Sequence, residues 1–173
     1  MRSDERTNDF EWRWRDPSHL DAHRAEFFIP PEEVLELLRP LVAPRRPAPP
    51  EGARSDAVEV PLHEDFGLEV TVGESGLREV PPDGSESFWA YRSGRAIPSH
   101  LCLGKRVPTQ RVCLWGTWKG SVFEIHTLYP GTRAPREIHD PDIQLADLPA
   151  AITFWSTHAI ITQHGSYSHE PRN

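Results

Sequence analysis

The chain has little with which to cross-link, anchor or chelate. Its two cysteines, Cys102 and Cys113, lie eleven residues apart in apolar surroundings. Free cysteine is among the most buried residue types, so two buried thiols are expected and not a disulfide. No apolar run approaches the roughly 20 residues that cross a bilayer. The opening MRSDERTNDFEWRWRD is charged and lacks the apolar centre of a signal peptide. These absences predict a cytoplasmic chain with no membrane partner. Nine histidines are present, but only His19 and His23 have HxxxH spacing, no CxxC occurs, and no third ligand is set beside that pair, so no metal and no cofactor are expected. There is no glycine-rich phosphate loop, no GxSxG elbow and no internal repeat, which removes nucleotide-fold and serine-hydrolase readings.

What is present is proline and an uneven distribution of charge. The 173 residues include 18 prolines and 11 glycines, with 37% hydrophobic content. That supports one modest core and many loops, a single domain with an appendage. The net charge of -7 conceals a division. Residues 88–136 carry eight basic side chains against Glu124 alone, a +7 segment between flanks of -10 and -4. Such a segment either faces an anion or is neutralised within the fold by its acidic flanks.

Local patterns predict an α+β fold. Pro30-Pro31-Glu32-Glu33 opens a helix, with acids at the positive end of its dipole, and Pro40 is expected to end it. The segment 43–54, with Pro44, Pro47, Pro49 and Pro50, reads as an extended linker. Alternation predicts strands at 57–60 and 68–72, with His63–Gly67 as the turn between them. A short strand follows at Phe88–Tyr91. The clearest hairpin joins Arg111–Trp118 to Ser121–Tyr129 through Lys119-Gly120. A helix is expected from Leu148 to Ile161, then a polar, frayed tail. The expected whole is an antiparallel sheet of four to five strands with an N-terminal and a C-terminal helix. Its parts are a helical segment and linker at 1–54, an α+β domain at 55–165 and a tail at 166–173. Helices covering one face of such a sheet leave the other free to carry a site.

The candidate chemistry lies in the basic segment. Arg92 and Arg95 flank a Ser-Gly corner and precede His100. Guanidinium offers a rigid fork of donors to phosphate, and histidine transfers protons near neutral pH. Lys105 and Arg106 continue the basic run, and Arg133 follows the hairpin as a further substrate-binding cation. On the last hairpin strand, alternation puts Glu124, His126 and Leu128 on one face and Ile125, Thr127 and Tyr129 on the other. His126 and Thr127 therefore serve one substrate only if the strand bulges or ends between them. If Ile125 marks the core, His126 faces outward; if Leu128 does, Thr127 and Tyr129 face outward. Among the aromatics, Trp89 and Trp115 are expected in the core. Trp118, beside the hairpin turn, is expected to be exposed and to stack a substrate base.

The order of parts resembles the barnase–EndoU–colicin D–RelE superfamily of small metal-independent ribonucleases. Arg95, His100 and Lys105 precede the hairpin, and Thr127-Leu128-Tyr129-Pro130-Gly131 ends it, over roughly residues 57–131. The resemblance implies attack of a ribose 2′-OH on the adjacent phosphate, giving a cyclic phosphate. It makes His100 a proton-transfer group, with Arg95 and Lys105 stabilising charge on the phosphoryl oxygens. Thr127 or Tyr129 would orient the phosphate, and His126 would be the second proton-transfer group. Two other classes fit the same residues. One is a binding module for RNA or another anion without catalysis. The other is a protein-interaction chain whose acidic flanks meet a neutralising partner.

Overall fold

In the computed structural model, residues 9–48, 59–92, 98–102, 106–161 and 167–170 are described. The elements in chain order begin with β1 (Glu11–Trp14), α1 (Ser18–His23), α2 (Pro31–Val42), β2 (Glu59–Gly67), β3 (Gly73–Ser75) and β4 (Leu77–Glu79). They continue with β5 (Ser87–Arg92), β6 (Pro98–Cys102), β7 (Val107–Thr109), β8 (Arg111–Lys119) and β9 (Val122–Pro130). The last are α3 (Leu148–Thr157), β10 (His158–Ile160) and β11 (Tyr167–Glu170). No helix among the described residues is long and apolar enough to cross a membrane.

The chain divides into two compact units, Met1–Glu74 with Pro108–Arg133, and Ser75–Val107 with Ala134–Asn173. Contacts thus group the N-terminal segment with the central hairpin, across the 54/55 boundary suggested by the proline-rich stretch. The described part of that stretch is also less extended than expected. Ala43–Arg45 forms a 3-10 turn, Ala43 is buried, and Arg46 Nε donates to the Gly120 carbonyl at 3.0 Å.

The first unit is built on a four-stranded sheet in the order β1-β9-β8-β2. The hairpin β8–β9 forms where alternation placed it. The sheet is mixed, not wholly antiparallel, because β1 runs parallel to β9. The expected turn at His63–Gly67 is instead the second half of β2, a single strand paired with β8 along its whole length. Leu62 and Phe66 alternate with His63 and Asp65 at a period of two, with Glu64 as the charged residue on the apolar parity. Residues 68–72 form no strand; Leu68 and Val72 donate their amides to the carbonyls of Gln110 and Thr109.

One face of this sheet is sealed by α2. Its Val34, Leu35, Leu38 and Val42 pack with Leu62, Phe66, Val112, Leu114, Trp118, Phe123, Ile125 and Leu128. Each such aliphatic side chain removed from water contributes roughly 1.5–3 kcal/mol. Pro40 sits inside the last turn of α2 instead of ending it. With so little helix beyond it, the hydrogen bond it forgoes is tolerated.

The second unit holds the sheet β11-β5-β6 and the pair β10-β4. The tail expected to fray contributes β11, which pairs antiparallel with β5. Helix α3 stops at Thr157, short of the expected Ile161. Ser156 Oγ and Thr157 Oγ1 donate to the carbonyls of Ile152 and Phe154, and His158 turns extended. These side-chain donors satisfy the carbonyls at the helix end. Ala159, now fully buried, pairs with Arg78 of β4.

Candidate functional site

The open face of the first unit's sheet gathers most of the described polar candidates. Strand register decides which residues reach it. Trp118 pairs with Phe123 and Val60, Gly116 with Ile125 and Leu62, and Leu114 with Leu128, all toward α2. Thr117 pairs with Glu124 and Pro61, Trp115 with Thr127 and His63, and Cys113 with Tyr129 and Asp65, all toward the opposite face, which is open around Trp115 but buries Cys113 and meets α1 at Tyr129. Between Trp115 and Gly116 the register slips, because Trp115 faces Thr127 while Gly116 faces Ile125. His126 is the extra residue of a β-bulge.

That bulge resolves the choice left open by alternation. Ile125 and Leu128 are both buried, at 0% and 1% exposure. Both mark the core, since one inserted residue moves the inward parity from odd to even numbers. Glu124, Thr127 and Tyr129 consequently share the open face, and the bulged His126 joins them. The sequence carries this parity switch in Phe123 and Ile125 followed by Leu128 and Pro130.

His126 is held on this face by two neighbouring side chains. Its Nε2 lies 3.3 Å from Thr117 Oγ1 and 3.6 Å from Glu124 Oε1. Glu124 is itself held by Lys119 Nζ at 3.1 Å, and that hydrogen bond keeps its carboxyl below the usual range. The Glu124 carboxylate beside Nε2 favours the neutral tautomer that carries its proton there and leaves the Nδ1 lone pair to accept. Burial lowers the His126 pKa below its ordinary value, the Arg15 charge lowers it further, and Glu124 opposes both. The backbone of the bulge is tied to α1, where His19 Nδ1 meets the His126 carbonyl at 3.2 Å.

His63 stands across Trp115 from His126. The His63 and Trp115 ring centroids are 5.7 Å apart, and Trp115 meets His126 edge-on at 5.0 Å. The His63 pKa is also lowered, mainly by burial and then by Arg133, against the pull of Asp65. Asp65 is anchored by Arg111 and accepts the Arg133 backbone N–H at 2.8 Å. Cys113, behind this row, is pushed up to about 11 by burial and is inert as a nucleophile. No group of three or more His, Cys, Asp or Glu among the described residues is arranged to hold a metal ion.

The other expected site residues fall as follows. Tyr129 is on the open face, but its hydroxyl donates to the Thr132 carbonyl at 3.4 Å and its ring tilts over His23 at 5.6 Å. Arg133 is exposed beside His63. Trp118 is not an exposed platform: it has 0% exposure and packs between Phe10 and Phe123 at 4.9 and 5.0 Å. Trp115, expected in the core, is 41% exposed instead. The two exchange places because Trp118 shares parity with Val112 and Leu114, and Trp115 does not. Arg95 and Lys105 lie outside the described residues, and Arg92 is described only as a backbone position in β5.

His100 belongs to the second unit and is wholly buried. Its Nε2 meets Ser87 Oγ at 2.8 Å, its Nδ1 lies 3.4 Å from the Trp155 carbonyl, and its ring stacks on Trp89 at 4.8 Å. This is a satisfied core histidine, held by packing where a proton-transfer group needs access.

The basic segment is likewise divided between the units, and its charge is partly neutralised. Arg111 pairs with Asp65, Lys119 with Glu59 and Glu124, and Arg136 with Asp140. No ion pair is recorded for Arg15 or Arg133, among the described residues, although both bear on the two open-face histidines. No protein-family model, no curated protein and no solved structure matches the chain.

Sequence reasoning missed His63 and Arg15, and placed Trp115 in the core. His63 was readable from the apolar parity of Val60, Leu62 and Phe66, which Glu64 interrupts, and Trp115 from its odd parity against Val112, Leu114 and Trp118. For Arg15 the sequence holds no signal, since only the pairing of β1 with β9 brings it beside His126.

Proposed function

We propose that the open face of the first unit's sheet cleaves RNA by transferring the phosphodiester to the neighbouring 2′-OH. In this reading His126 Nδ1 takes the 2′-OH proton, the 2′-oxygen bonds to phosphorus, and the bond to the 5′-oxygen breaks. His63, in its protonated form, returns a proton to that leaving oxygen. Glu124 fixes the His126 tautomer, and Lys119 holds Glu124 in place. Arg15 and Arg133 offset the negative charge that develops on the phosphoryl oxygens, and Thr127 orients the phosphate. The observation that carries the reading is the bulge at His126. It brings His126, Thr127 and Trp115 to one surface, the condition alternation alone failed to meet.

The test uses purified protein and a labelled single-stranded RNA with EDTA present. Cleavage to products ending in a cyclic phosphate is expected, and His126→Gln lowers the rate by roughly 10²- to 10⁴-fold, the usual worth of a general base. RNA binding retained by His126→Gln completes the expected pattern. Binding by the wild type with no cleavage assigns the face to a non-catalytic RNA-binding module and overturns the enzyme reading.

A further inference from the structure

We propose that this face accepts RNA only as an unpaired strand, with one base stacked on Trp115 between His63 and His126; this rests on the RNA reading above. Among the described aromatics of the first unit, Phe10, Trp12, Trp118 and Phe123 pack against one another in or beside the core. Trp115 alone among the described tryptophans is both on the open face and 41% exposed. Its ring does not swing freely. His63 lies tilted by 33° on one side, and His126 stands at 68° on the other. A ring held in this way loses little freedom on receiving a base, so the platform is pre-organised.

Charge complementarity argues for a nucleic acid over an apolar ligand. The Arg15 backbone N–H donates to the Ile125 carbonyl at 2.9 Å and the Arg133 N–H to Asp65 at 2.8 Å, which anchors one arginine beside His126 and the other beside His63, with Glu124 and Asp65 already engaged by Lys119 and Arg111. A polyanion crossing Trp115 meets a cation before and after the stacked base. In a duplex, every base face is already covered by its neighbours, and a base reaches Trp115 only by leaving the stack. Base–aromatic stacking strengthens binding by roughly 5- to 150-fold per base. A single strand gains that in full, whereas a duplex must first break its own stacking.

The experiment measures fluorescence anisotropy of a short labelled oligoribonucleotide, 2′-O-methylated so that nothing is cleaved, single-stranded or annealed to its complement. Single-strand binding is expected to be at least about 10-fold tighter than duplex binding. Trp115→Ala is expected to remove most of this preference, and Trp115→Phe to retain part of it. Equal affinity for the two forms, or a preference unchanged in Trp115→Ala, overturns the proposal. The two readings fail separately. Trp115-dependent single-strand binding without cleavage by the wild type sinks the enzyme reading and leaves the platform standing. Cleavage of single strand and duplex at equal rates, unaffected by Trp115→Ala, sinks the platform and leaves the enzyme.

Discussion

Gly116 is the position where one methyl group tests both the packing and the site. A Cβ built there meets Phe123 Cε1 at 2.3 Å, the Glu124 carbonyl oxygen at 2.5 Å and Phe123 Cζ at 2.7 Å. Phe123 has no free direction in which to yield, because its ring meets Trp118 at 5.0 Å and Trp12 at 5.6 Å. The Glu124 oxygen is strand backbone next to the bulge. Overpacking of this kind costs about 1–3 kcal/mol, and contact with backbone puts Gly116→Ala near ~3 kcal/mol. The smaller entropy of unfolded alanine returns roughly 0.4–1 kcal/mol, leaving a net loss of about 2 kcal/mol. With a urea m-value of roughly 2 kcal/mol/M, the unfolding midpoint falls by about 1 M, with m unchanged. Gly67→Ala is the control. Its Cβ meets only the Arg111 guanidinium at 3.8 Å, and the stability should change by less than about 0.5 kcal/mol. A Gly116→Ala protein as stable as the wild type would refute the close approach of β8 and β9 at the bulge, and the placement of His126 with it.

The pH dependence of cleavage follows from the two lowered histidines. His126 must be neutral and His63 protonated, and both titrate below the ordinary 6.5, so kcat/KM should peak below that pH. Removing the Arg133 charge relieves His63, so Arg133→Gln should move the alkaline limb to higher pH; an unmoved limb excludes His63 as the acid. Because the fold favours the neutral forms, both histidines contribute stability that is full above 6.5 and lost as pH falls through their folded values. His100→Ala should destabilise the second unit by about 2–4 kcal/mol, through a cavity and the lost hydrogen bond to Ser87. In thermal unfolding, a His100→Ala protein as stable as the wild type would count against its structural place.

Residues that follow a period were legible from the chain alone. Alternation gave the β8–β9 hairpin and the apolar side of α2, because burial on one face imposes spacing that no neighbour can change. The chain also held the parity switch from Ile125 to Leu128, although a strand of strict period two treats these as rivals. Tertiary structure decided what depends on partners distant in sequence. The parallel pairing of β1 with β9 made the sheet mixed and brought Arg15 to His126. The full-length pairing of β2 with β8 turned an expected loop into the strand that presents His63. Asp65, Glu59 and Asp140 fold back on three cations of the +7 segment and offset part of its excess, since net charge along a chain ignores which acids fold back upon it. Trp115 and Trp118 differ by three positions and have identical chemistry. Only strand parity, set by what lies beneath the sheet, made one of them core and the other surface.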